Sequence, residues 1–137
     1  MTVKKAKTAL TMLWVIVTMP LLLLLIMRQL NGFYGTDAKA VWTWAAQYLF
    51  PPLTLIGSAW AVAQTPGEGK RIAAPIVFWV AIVMSLAYLC ALLLVAGAQA
   101  GEGQSWQSVF EQSGLFLSLF QALLIGWLGK FFIESRR

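Results

Sequence analysis

The sequence predicts an all-α membrane protein: four transmembrane helices in an antiparallel up-down bundle, the second of them kinked or broken at Pro51-Pro52. Three observations carry that expectation. Hydrophobic residues make up 60% of the 137 and charged residues only 11%, a balance that a soluble domain of this size cannot hide in its core. Four apolar stretches each reach the roughly twenty residues that a helix, rising about 1.5 Å per residue, needs to cross a hydrocarbon layer of about 30 Å. Between them lie polar, Gly-rich segments that resist burial in lipid.

The first span is expected at 9–27, the second at 41–63, the third at 73–96 and the fourth at 113–132, with no soluble domain left over. A competing reading makes the start a cleaved signal peptide, with "KKAK" as its basic region and "DAKA" before Val41 as the cleavage site. The apolar stretch is too long for that and ends too far upstream of Ala40. Orientation follows from the basic residues, because short loops rich in Lys and Arg stay cytoplasmic. Lys4, Lys5 and Lys7 precede the first span, Lys70 and Arg71 follow the second, and Lys130, Arg136 and Arg137 close the fourth, whereas Arg28 and Lys39 fall on the other side. Both termini are thus expected in the cytoplasm, the protein in an inner membrane, and the basic ends against anionic lipid headgroups. The net charge of +5 follows this topology and does not gather on one face, so no nucleic-acid partner is expected.

Apolar character does not mark the inside of a bundle in lipid, so small and polar residues must serve. They recur at helical spacing in every span: Thr8, Thr11, Val15 and Thr18; Gln47, Pro51, Thr54, Ser58 and Ala61; Ala74, Ala81, Ser85 and Tyr88; and Glu111, Gly114, Ser118, Gln121 and Ile125. Helix packing is the ordinary explanation for Thr18, Ser58, Ser85 and Ser118. Gln121 asks for more, because a primary amide at bilayer depth needs partners from another helix, another subunit or water. The candidates for lining a pore or ligand site are therefore Gln47, Thr54, Ser58, Ser118 and Gln121, with Glu111 as a charge at the outer mouth.

The prolines sharpen the expectation. Pro51 and Pro52 have no amide hydrogen, so the carbonyls of Gln47 and Tyr48 lose their helical partners near mid-membrane, where water cannot cheaply replace them. Some neighbour must bond those carbonyls, or the site must be wet. Pro20 frees the carbonyl of Ile16 in the same way, and the three prolines are the candidate hinges. The sharper possibility is an unwound patch whose freed carbonyls and Gln47 amide face a polar path, as in broken transport helices.

Chemistry is largely excluded. The chain has no histidine and one cysteine, which rules out imidazole ligands, a histidine base, an internal disulfide and a two-cysteine relay. Cys90 reads as a small buried hydrophobe. The first span lacks the embedded carboxylate on which small multidrug transporters depend, and Asp37 is the only aspartate, so an aspartyl membrane peptidase is excluded. No catalysis, metal or cofactor is expected. Two function classes remain ahead of a small transporter: a homo-oligomeric pore- or channel-like assembly affecting membrane permeability, and a non-conducting anchor, scaffold or accessory subunit bound to a membrane partner protein.

Overall fold

The computed structural model describes residues 2–62, 75–98 and 104–134, and these are helical almost throughout. The elements are α1 (Val3–Leu30), a single 3₁₀ turn (Gly35–Asp37), α2 (Ala38–Tyr48), α3 (Phe50–Val62), α4 (Pro75–Gly97) and α5 (Trp106–Glu134). Among the described residues, three helical segments are long and apolar enough to cross a membrane: Lys4–Leu30, Ile76–Gly97 and Trp106–Phe132. The stretch expected as the second span is two shorter helices joined at Leu49.

The join has a simple cause. Pro51 and Pro52 fall in the first turn of α3, where backbone N–H groups have no intrahelical acceptor in any case. Leu49 keeps right-handed helical angles and its N–H still bonds Ala45 O, so the chain bends without unwinding. Pro20 lies inside α1, which continues past it as one helix.

Helix ends extend beyond the apolar runs because capping groups, not hydropathy, set them. α1 ends in a Schellman motif: Phe33 N–H bonds Arg28 O, Gly32 N–H bonds Gln29 O, and Gly32 takes φ 68°, the left-handed geometry that suits glycine. Gly35, at φ 52°, completes the tight turn into α2. Ser105 caps α5, its hydroxyl accepting the Ser108 N–H at 3.2 Å, so α5 starts seven residues before the expected 113. Pro75 opens α4, where its fixed φ suits a first helical position.

The helices pack as a closed ring in which α4 lies against α1 and α5, and the joined α2–α3 closes the other side against the same two helices. Arg28, at the end of α1, donates to Ala96 O at the end of α4. Phe33 and Tyr34 in the turn stack against Trp106 at the start of α5, while Phe78 early in α4 meets Phe131 late in α5. One end of the bundle therefore holds the α1–α2 turn, the end of α4 and the start of α5.

The buried face of α1 runs through Lys7, Leu10, Trp14, Thr18, Leu21 and Leu25, a three-four spacing that overlaps the expected small-residue stripe only at Thr18. Val15 points outward. Trp14 is fully buried against Tyr88, at a ring separation of 6.2 Å. Cys90 is exposed on the outer face of α4, which corrects the expectation that it is buried: the buried line of α4 runs through Tyr88, Leu89 and Leu92, to one side of it.

Candidate functional site

The two carbonyls that the prolines release are both taken up by neighbouring helices. Gln121 on α5 donates its side-chain amide to Gln47 O at 3.0 Å. Tyr88 on α4, fully buried, donates its hydroxyl to Tyr48 O at 2.7 Å. Each donor comes from a different helix, so the bend is pinned from two sides. Both freed carbonyls thus find donors within the protein.

Tyr48 extends the polar seam. Its hydroxyl lies 3.2 Å from Ser118 Oγ and 3.3 Å from Gly114 O, and Ser118 Oγ itself donates to Gly114 O at 2.6 Å. One turn toward the α1–α2 end, the Trp44 indole N–H donates to Ser113 Oγ at 3.1 Å. A Cβ placed on Gly114 would come within 2.8 Å of the Tyr48 hydroxyl, so glycine is what allows α2 and α5 this approach.

Above the seam, a groove of about 800 Å³ opens between α2 and α5. Its rim carries Asp37, Lys39, Gln107 and Glu111, and its depth reaches Gln47, Tyr48 and Ser118. Glu111 accepts from the Gln107 side-chain amide at 2.7 Å, and Asp37 Oδ2 lies 3.4 Å from the Gln107 backbone nitrogen at the start of α5, where the helix dipole favours a carboxylate. Nearby, Tyr34 in the α1–α2 turn has its pKa raised by burial, against a smaller opposing effect of the Arg28 guanidinium.

No family model, curated protein or solved structure matches this chain. The site is therefore read from its own geometry.

Of the residues singled out in the sequence, Gln47, Ser118, Gln121 and Glu111 come together at the α2–α5 seam and groove. Thr54 and Ser58 do not join them. They lie on the exposed face of α3, each hydroxyl donating to a carbonyl of its own helix, Pro51 O and Leu55 O, at 2.9 Å. The polar stripe of the second span thus faces away from the bundle interior, and the fourth-span stripe is rotated by about one residue from the buried line Phe110, Ser113, Leu117, Leu124 and Leu128. Among the basic residues, Lys4 and Lys5 are exposed, whereas Lys7 is 2% exposed and belongs to the buried face of α1. Lys130 is exposed, its ammonium 5.2 Å from the Trp127 ring. Lys70, Arg71, Arg136 and Arg137 lie outside the described residues. Tyr88 is the site residue that the sequence reading placed only on a packing stripe; the signal was available, since a buried phenol needs an acceptor and the prolines had just created one.

Proposed function

We propose that this chain is a small four-span membrane protein that assembles with copies of itself into a pore- or channel-like complex affecting membrane permeability. The carrying observation is the outward placement of Gln47, Thr54 and Ser58 on the joined α2–α3 helix, all exposed on the single chain, in a bundle whose interior is filled by Trp14, Tyr88 and leucines. A chain with a filled interior has to enclose a path between subunits, and a polar stripe on the outer face of the single chain is the natural wall of one once copies assemble around it. The fourth crossing is supplied by α2 and α3 together: at about 1.5 Å per residue, 38–62 spans roughly 37 Å despite the bend. Exposed Lys4 and Lys5 are suited to anionic headgroups at the same face as the chain termini.

A second reading has its own support. Because Thr54 and Ser58 close their hydroxyls onto their own helix, α3 can face lipid at little cost, as a non-conducting accessory or scaffold subunit would require. Two measurements separate the readings. Inducing the chain in cells while following membrane potential should produce depolarisation, and Gln47→Leu combined with Ser58→Ala should abolish it while leaving expression unchanged. The detergent-solubilised particle should be a homogeneous oligomer. A monomeric particle together with an undisturbed potential sinks the pore and favours the accessory subunit.

A further inference from the structure

The groove between α2 and α5 has a shape and a charge layout that the permeability reading does not use. Its α2 wall from Lys39 to Tyr48 and its α5 wall from Gln107 to Ser118 each extend about 14–17 Å at about 1.5 Å per residue. That matches one leaflet, half of a hydrocarbon core of about 30 Å. Charge is confined to one end. Asp37 and Glu111 both approach Gln107, one at its backbone nitrogen and one at its side chain, so two carboxylates converge on the rim, and Lys39 stands on the same rim. Deeper in, the Trp44 ring, Ala40 and Leu115 line the groove beside the polar side chains of Thr43 and Gln47. The polar atoms at the base, Tyr48 OH and Ser118 Oγ, are engaged with each other and with Gly114 O, so the base does not demand water.

A charged rim with both signs above a partly apolar slot one leaflet long fits a single phospholipid lying along the bundle. The geometry points to a phospholipid with a primary-ammonium headgroup: the ammonium donates to Asp37 and Glu111, the phosphate meets Lys39, and an acyl chain fills the slot past Ala40 and Leu115. A primary ammonium carries N–H donors for two carboxylates, which a quaternary choline lacks, and a glycerol headgroup brings no cation to offset the two acids. Gln47 lines both this groove and the proposed path, but the rim residues Asp37, Lys39 and Glu111 lie before the bend and take no part in the path, so substitutions at the rim test the lipid site separately from the pore.

The test is native mass spectrometry of the full, delipidated chain in detergent with phosphatidylethanolamine, phosphatidylcholine and phosphatidylglycerol of matched acyl chains. Phosphatidylethanolamine is expected to be retained about fivefold or more over the other two, the gain of charge-assisted hydrogen bonds to one headgroup. Asp37→Asn with Glu111→Gln should bring the three lipids to parity. Ala40→Leu, which fills the slot without touching the carboxylates, should reduce retention of all three while the thermal unfolding curve stays in place. Soluble glycerophosphoethanolamine should not displace the bound lipid. Equal retention of the three lipids by the unmodified chain overturns the inference, as does a preference that survives the double substitution. Displacement by the soluble headgroup at lipid concentrations overturns the lipid in favour of a free phosphoethanolamine.

Discussion

Tyr88 and Gln121 turn a backbone defect into a fixed bend. A buried carbonyl left without a donor costs about 1–3 kcal/mol, while a typical hydrogen bond between membrane helices contributes about 0.6 kcal/mol. Tyr88→Phe is therefore expected to cost about 1–2 kcal/mol in reversible detergent unfolding, more than an ordinary interhelical bond, because nothing in α2–α3 can replace the lost donor. Gln121→Leu should cost less, since Gln47 lies on the exposed side where water or a headgroup can reach its carbonyl. The decisive measurement is a double-mutant cycle. In a Pro51→Ala, Pro52→Ala background the backbone regains the two N–H groups, so the cost of Tyr88→Phe should shrink by half or more. An unchanged cost would mean that the Tyr88 hydroxyl matters for something other than the carbonyl that the prolines free, since phenylalanine keeps the ring contact with Trp14. At this scale the sequence marked the need more firmly than the supplier: proline chemistry names the carbonyls of Gln47 and Tyr48, and the Gln121 amide and Tyr88 phenol are donors in want of partners, but which of them reaches which carbonyl depends on how three helices are rotated.

Between elements, the contact that sets the geometry is α2 against α5. Gly114 brings the Tyr48 hydroxyl within hydrogen-bond reach of the α5 backbone, and Trp44 bonds Ser113 one turn away. Gly114→Ala should force the phenol outward, break its contacts with Gly114 O and Ser118, and destabilise the fold by about 1–3 kcal/mol, the usual cost of overpacking. Gly126, which has open space at its Cβ position, is the matched control, and Gly126→Ala should be neutral or slightly stabilising, as alanine is the better helix former. Thermal unfolding of the two variants side by side checks both expectations. Helix existence was legible in the sequence at this scale, because apolar length decides it; helix facing was legible for α4, whose expected Ala81, Ser85 and Tyr88 are all buried, but not for α1 and α3. There Val15, Thr54 and Ser58 face out, and the aromatic Trp14 and Trp44 join Tyr88 in the interior. Serine and threonine can satisfy themselves on their own helix and so do not have to face a partner, whereas the Trp44 indole and the Tyr88 hydroxyl reach partners on other helices, and Trp14 is fully buried with no hydrogen-bond partner for its indole N–H among the described residues.

For the whole molecule, the question is whether the bent α2–α3 crosses the membrane or returns to the side it left. The ring contacts of Phe33 and Tyr34 with Trp106 hold the α1–α2 turn and the start of α5 at one end, and the Arg28 bond to Ala96 O holds the end of α4 there too. Phe78 with Phe131 marks the opposite end. A chain that starts α2 at the first end and begins α4 at the second has to traverse the bundle through α2–α3, even though neither half is long enough alone. Single cysteines at Thr36, Ser105 and Lys4, placed in a Cys90→Ala background, report this directly. A membrane-impermeant maleimide added to intact cells should label positions 36 and 105 alike and leave position 4 unlabelled until the membrane is opened. If α2–α3 instead returned to its own side, α4 and α5 would be carried across in the opposite sense, and position 105 would behave like position 4. That outcome would also separate Trp106 from Phe33 by the thickness of the bilayer, and the aromatic cluster at the α1–α2 turn could not form.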